Sequence, residues 1–288
     1  MSETKPTRRP ATALTIAGSD SGGGAGIQAD LKTFAALRVH GLSAVSALTA
    51  QSTVEVRAVF SVPASFVALQ LDTLMDDFHI DAVKTGMLSD PETIEVVQQR
   101  AQKGRWRVVV DPVMVASSGA RLVSAEVVDG LRALIASAEV VTPNLDEVEV
   151  LVGHRPQDPE EMTRAGQELL RLGCRAVLVK GGHLRGDPVD VWVERGGRVL
   201  HRSVTRIPGN VGHGTGCTYA AALTALLARG RRPDEAFRQA HAFVNGALRA
   251  APENLGGGSQ PLHPLFEYFP GLAEAGSARA VDAELGRS

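Results

Sequence analysis

Gly209-Asn210-Val211-Gly212-His213-Gly214-Thr215-Gly216-Cys217-Thr218 runs directly into Tyr219-Ala220-Ala221-Ala222-Leu223-Thr224-Ala225-Leu226-Leu227-Ala228-Arg229. Four glycines fall within the eight residues from 209 to 216, and good helix formers follow them. Glycine tolerates positive φ and lets backbone N–H groups come close to a ligand. A helix start adds unpaired N–H groups and a partial positive charge. The two together predict a cradle for an anion, most often phosphate. A glycine-rich turn that merely caps a buried helix has the same composition. Cys217 stands at the mouth of the cradle, where a thiol pKa is expected to fall.

Working outward, the same layout recurs near the other end. Ala13 to Gly18 reads as a short buried strand, and Ser19-Asp20-Ser21-Gly22-Gly23-Gly24-Ala25-Gly26 as a second glycine loop. A helix from about Ile27 to Arg38 follows, with Ile27, Leu31, Phe34 and Leu37 on one face. Neither a dinucleotide fingerprint nor a Walker loop is present. Asp30 falls on the expected first turn, where it either faces the cleft or simply complements the helix start. Between the two glycine loops, strands alternate with helices. Strands are expected at 42–50, 81–84, 106–110, 139–142 and 176–179, and a half-exposed one at 53–59. Helices are expected at 63–78, with Phe66, Leu69, Leu74 and Phe78 inward, and at 91–102, 124–136, 160–172 and 233–250. Val189–Glu194 and Arg198–Val204 read as a hairpin around Gly196-Gly197. This alternation predicts an α/β fold, a mainly parallel central sheet with helices on both faces. One domain over residues 11–270 is expected, with a disordered arm at 1–10 and a tail at 271–288.

The polar residues of interest fall at strand ends, where open α/β sheets bind ligands. Gln51 closes an apolar run, and its amide suits a heteroaromatic ring edge. Asp111 ends a core strand before Pro112, a place for metal or phosphate chemistry or for a simple turn. Asn144 and Glu147 are three apart on one helical face. That pair serves a hydrated Mg²⁺ or an ordinary helix cap, and spacing does not separate the readings. Lys180, before Gly181-Gly182, suits phosphate oxygens.

The 288 residues carry 30 Lys+Arg against 32 Asp+Glu, a net charge of −2, so no basic field for nucleic acid exists. Aromatic residues are 4%, too few for single-strand stacking platforms. Two cysteines, Cys174 and Cys217, form neither a metal pattern nor a disulfide framework. No apolar run approaches the ~18 residues of a membrane span. The polar, basic first ten residues lack the apolar stretch of a secretory signal. A cytoplasmic protein is expected.

Seven stretches then coincide with one family: 17–33, Ala47-Leu48-Thr49-Ala50-Gln51, Lys84-Thr85-Gly86-Met87-Leu88, Asp111-Pro112-Val113-Met114, Thr142-Pro143-Asn144-Leu145-Asp146-Glu147, Val179-Lys180-Gly181-Gly182-His183 and His213-Gly214-Thr215-Gly216-Cys217-Thr218. In this order they closely resemble the hydroxymethylpyrimidine/phosphomethylpyrimidine kinases of thiamine biosynthesis, in the ribokinase-like superfamily. The resemblance implies ATP-dependent phosphorylation of 4-amino-5-hydroxymethyl-2-methylpyrimidine, first to the monophosphate and then to the diphosphate. It implies that Gln51, Asp30 and Gly18 bind the pyrimidine, with Val45 and Met87 on the ring faces. Glu147 and Asp111 would serve Mg²⁺, partly through water. Lys180, Asn144, Thr215 and Gly216 would serve the nucleotide. Gly214, Gly216 and Cys217 would form the anion hole, with Cys217 either a base or an orienting group. A homodimer is implied, with the segment 52–60 at an interface or over the site, and Gly22 to Gly26 is a candidate lid hinge. Where the family usually has Lys-Asn-Thr-His, this chain has Asn210-Val211-Gly212-His213, which removes side-chain contacts on the nucleotide side. Pyridoxal kinase of the same superfamily and a non-catalytic pyrimidine or nucleotide sensor are the alternatives.

Overall fold

The computed structural model describes residues 9–114 and 124–269. The expected tail at 271–288 and nearly all of the expected arm at 1–10 lie outside these residues. In chain order the elements are β1 (Thr12–Asp20), α1 (Gly26–Ala36), β2 (His40–Gln51), β3 (Val56–Ser61), α2 (Ala64–Asp77), β4 (Ala82–Thr85), α3 (Pro91–Gly104), β5 (Arg107–Val110), α4 (Ala125–Ile135) and β6 (Val140–Val141). They continue with α5 (Leu145–Val152), α6 (Pro159–Leu170), β7 (Ala176–Val179), β8 (Val189–Glu194), β9 (Val199–Ser203), β10 (Val211–His213), α7 (Thr215–Ala228), α8 (Pro233–Arg249) and β11 (Gln260–Pro261).

Nine strands form one sheet in the order β3-β2-β1-β4-β5-β6-β7-β8-β9. The six central strands are parallel, and β3, β8 and β9 add antiparallel edges. Central strands buried on both faces must be apolar throughout. Hence Ala82-Val83, Val108-Val109-Val110 and Ala176-Val177-Leu178-Val179 all lie in the core. Alternate residues serve opposite layers. Leu14, Ile16, Val83 and Val110 meet helices α2 to α6, whereas Ala13, Ala82 and Val109 meet α1, α7 and α8. Helix α7 is buried along its whole length from Thr218 to Leu227. Its alanines let α1, α8 and the sheet all approach it closely, as a helix apolar on every side requires. This central helix therefore cannot shift without moving the core, and its first turn is a fixed point.

Two expectations are corrected. In α2 the fully buried residues are Val67 and Leu71, and Leu74 packs against the same core as expected, while Phe66 and Leu69 are 55% and 57% exposed and Phe78 is 38% exposed. Apolar residues occur all round this helix, so spacing alone does not set its phase. Val211–His213 is also a strand, paired with Gln260–Pro261, rather than part of a free loop.

Candidate active site

The six parallel strands present their carboxyl ends at one edge of the sheet, and there Asp111 and Lys180, which follow β5 and β7, face the first turn of α7. Gly214 caps that helix with φ 82°, a left-handed conformation that glycine adopts without strain. A side chain could not begin here, because a Cβ would lie 1.8 Å from the carbonyl oxygen of Gly24. Thus the two glycine-rich loops meet backbone to backbone. Asp20, at the end of β1, sews them together. Its carboxylate accepts from the N–H groups of Gly22, Gly24 and Ala25 at 2.8, 3.1 and 2.8 Å. The same carboxylate lies 2.8 Å from His213 Nε2, and both side chains are buried. Burial alone would raise the Asp20 pKa, but the bonds from His213, Ala25 and Gly22 hold it below the usual carboxylate range. The segment 22–26, a candidate hinge by sequence, is tied down by this carboxylate. Asp20 and His213 were not singled out by sequence reading. An Asp followed by a glycine run is the composition of an Asx turn and was the available signal.

On one side of the α7 start stands Lys180, directly after β7. Its Nζ donates to Asp111 Oδ1 at 2.8 Å and lies 4.0 Å from Glu147 Oε2. Thr142 Oγ1 donates to the same Asp111 oxygen at 3.0 Å. A Cβ on Gly216 would lie 3.1 Å from Lys180 Nζ and 3.7 Å from Asp111 Oδ2, so these groups face the helix start. Burial opposes the charge on Lys180, yet Asp111 and Glu147 outweigh it and keep the ammonium protonated. Burial drives the Glu147 carboxyl up, against the pull of Lys180. Asn144 and Glu147 form a full capping box. Asn144 Oδ1 accepts from the N–H groups of Asp146 and Glu147, both at 2.9 Å, and Glu147 Oε2 accepts from the Asn144 N–H at 2.8 Å. The cap is therefore real, and it fixes Glu147 in place beside Lys180. Thr215 Oγ1, expected on the nucleotide, donates instead to the Gly212 carbonyl at 2.8 Å.

On the other side lie Gly18, Val45, Gln51 and Met87. The Met87 methyl would be 2.7 Å from a Cβ on Gly18, so the missing side chain makes room for it. Val45 is held by Gln70, which accepts from its N–H at 2.9 Å and donates to its carbonyl at 3.1 Å. Gln51 is half-buried, its backbone N–H bonded to Ser21 Oγ at 2.8 Å. Asp30 is a correction. It is the fifth residue of α1, past the first turn, and it is fully buried. Its Oδ2 accepts from Lys84 Nζ at 2.8 Å and from Thr15 Oγ1 at 2.6 Å. Asp30 is thus gripped through one oxygen by Lys84 and Thr15, and its Oδ1 has no partner among the described residues. Lys84 was overlooked, although a lysine inside an apolar strand is itself a signal.

Cys217 is half-buried in the first turn of α7. Its thiol is the second correction here. Burial, first of all, pushes it up to about 11, and Asp30 and Asp111 add to this against the opposing charge of Lys84. The helix start does not acidify it.

A buried cation, two carboxylates, glycine amides at a helix start and a thiol thus meet at one end of a parallel α/β sheet, a set whose chemistry suits a phosphate. The family model described as phosphomethylpyrimidine kinase matches residues 20–263. The chain belongs to the phosphomethylpyrimidine kinase family. A hydroxymethylpyrimidine/phosphomethylpyrimidine kinase of Rhizobium meliloti is 45% identical over 262 residues, covering 90% of this chain and 98% of that one. The thiamine biosynthesis bifunctional protein ThiED of Geobacter sulfurreducens is 47% identical over 257 residues, 88% of this chain; the match spans 52% of that longer protein. Among solved structures, a phosphomethylpyrimidine kinase from Clostridium difficile superposes with a TM-score of 0.72 at 39% identity, over 82% of this chain and 98% of that one. A pyridoxal kinase from Bacillus subtilis in complex with ADP superposes with a TM-score of 0.84 at 34% identity, over 90% and 100%. The fold is thus the ribokinase-like one expected, and the protein is a phosphotransferase.

Proposed function

We propose that this kinase phosphorylates 4-amino-5-hydroxymethyl-2-methylpyrimidine with ATP, and then phosphorylates the monophosphate to the diphosphate, for thiamine diphosphate synthesis. The observation that carries the reading is the placing of Lys180, Asp111 and Glu147 against the first turn of α7. In each step an acceptor oxygen attacks the γ-phosphorus, the bond to the β-phosphate oxygen breaks, and ADP leaves. Such transfer demands positioning and charge stabilisation more than covalent help. Lys180 stays cationic for the nucleotide phosphates, while the amides of Gly214, Gly216 and Cys217 receive the transferring group. Asn144 and Thr215 serve the nucleotide by shaping its wall, since their oxygens are engaged in the cap and the loop. Gly18, Val45, Met87 and Gln51 hold the ring. Cys217, a thiol at neutral pH, orients the acceptor hydroxyl, and the proton leaves late, to the phosphoryl oxygens.

Asp111 and Glu147 suit a hydrated Mg²⁺. Among the described residues no three His, Cys, Asp or Glu side chains form a metal cage. Mg²⁺ commonly takes one or two carboxylates with substrate phosphates, so a two-carboxylate set fits it. Asp111 and Glu147 would hold the ion, which would draw negative charge from the phosphate oxygens. We further propose a cytoplasmic homodimer that binds no nucleic acid. No helix among the described residues is long and apolar enough to cross a membrane.

Pyridoxal phosphorylation is the second reading, favoured by the pyridoxal kinase superposition. A mass-resolved assay with Mg·ATP separates them. Successive mono- and diphosphate products of the pyrimidine are expected. Phosphorylation of pyridoxal with no pyrimidine product would overturn the proposal.

A further inference from the structure

Two lysines are buried beside the first turn of α7, and the reaction above uses one of them. Lys84, on the central strand β4, is 0% exposed, and Lys180 is 9% exposed. They are held alike. Each donates at 2.8 Å to a carboxylate oxygen that also accepts from a threonine: Asp111 Oδ1 with Thr142 for Lys180, Asp30 Oδ2 with Thr15 for Lys84. Thr15 and Lys84 are register partners across β1 and β4, so the sheet itself aims both side chains at Asp30. The second pair is left under-satisfied. Asp30 Oδ1 is buried without a hydrogen-bond partner, and of the three N–H groups on Lys84 a single one has an acceptor among the described residues. A buried ion pair of this kind is weak evidence for stability, because apolar replacements often serve as well. Its surroundings point elsewhere. Lys84 Nζ would lie 2.9 Å from a Cβ on Gly86, directly before Met87, which itself fills the space left by Gly18. Both α1, which carries Asp30, and β4, which carries Lys84, pack against α7, whose first turn carries Cys217, and the charge on Lys84 opposes the rise of that thiol's pKa.

We infer that Lys84 is a positioning residue for the acceptor half of the site: paired with Asp30, it sets a buried ammonium beneath Gly86 and Met87, where it counters the negative charge that the phosphoryl oxygens carry at the acceptor end. Lys180 does this for the nucleotide, and Lys84 does it from below for the acceptor. The inference rests on the acceptor side being the Gly18–Gln51–Met87 side.

The test compares wild type with Lys84→Met and with the charge-neutral Asp30→Asn/Lys84→Met, using the pyrimidine and Mg·ATP. Removing one aimed electrostatic group commonly costs 10²-fold or more, and for a charge one layer away we expect a loss in kcat of at least about tenfold. KM for ATP should stay within about twofold, and the double variant should keep its melting temperature, as expected when such a pair is replaced. Alkylation of Cys217 by iodoacetamide at pH 9, followed by the mass of its peptide, should slow about tenfold in Lys84→Met, because the thiolate loses its neighbouring cation. Unchanged kcat and unchanged alkylation would overturn the inference. A fall in melting temperature of the double variant, with both KM values rising together, would show a structural pair and overturn it too. If wild type phosphorylates pyridoxal and not the pyrimidine, the proposed function fails, and the same comparison with pyridoxal still decides the role of Lys84.

Discussion

Cys217 shows how a residue can be found from sequence while its charge is not. Its place at the mouth of the anion cradle follows from local glycine spacing. Its protonation depends on Asp30 and Asp111, which lie far away along the chain, and on burial by the packed core. Local pattern predicts an acidified thiol, and the assembled site holds it at about 11. Iodoacetamide reacts with the thiolate. Between pH 7.5 and 9.5 the Cys217 alkylation rate should therefore climb by close to tenfold per unit, without the levelling near 8.5 of an ordinary cysteine. Quantifying the modified peptide over that range checks this, and a plateau below pH 9 would return Cys217 to the base role. Lys180, Glu147 and Asp111 were legible because each ends a strand or opens a helix. Asp30 was set on the first turn because spacing does not fix where α1 starts, and its pairing with Lys84 depends on a strand 54 residues away.

At the scale of elements, the junction between the two glycine loops carries the strongest constraint. Gly214→Ala combines a left-handed backbone with a Cβ 1.8 Å from the Gly24 oxygen. Relief requires the loops to part, and that moves the α7 amides from the phosphate. A displacement near 1 Å at a positioning group can cost about 10²-fold. We expect kcat for Gly214→Ala to fall by about that factor, measured by steady-state ADP release, with a smaller loss of melting temperature. Activity within threefold of wild type would show that the loops tolerate separation. The glycine composition was readable, but not the contact, since the loops are remote in sequence. Strand β10 was missed for a like reason: a three-residue strand has no period to detect, and its partner follows α8.

The whole molecule was the most legible level, because alternating apolar strands and amphipathic helices repeat through most of the chain and leave a parallel sheet as the consistent outcome. What patterning could not tell was which apolar residues stay outside. Phe60, Phe66 and Leu69 are 65%, 55% and 57% exposed, on the edge strand β3 and on α2, which follows it in the chain. Among the described residues nothing pairs with the outer side of β3, and an open edge with apolar residues near it favours a second copy. Light scattering should report a dimer for wild type and a monomer for Phe60→Asp at micromolar concentration; equal masses would remove this face from the interface. The clamp between Asp20 and His213 joins positions 193 residues apart. During synthesis the first glycine loop leaves the ribosome long before its histidine exists. A nascent chain thus holds half a phosphate cradle that nothing closes. We expect nucleotide capture only of a polypeptide complete through α7, so that truncated products compete for neither ATP nor pyrimidine.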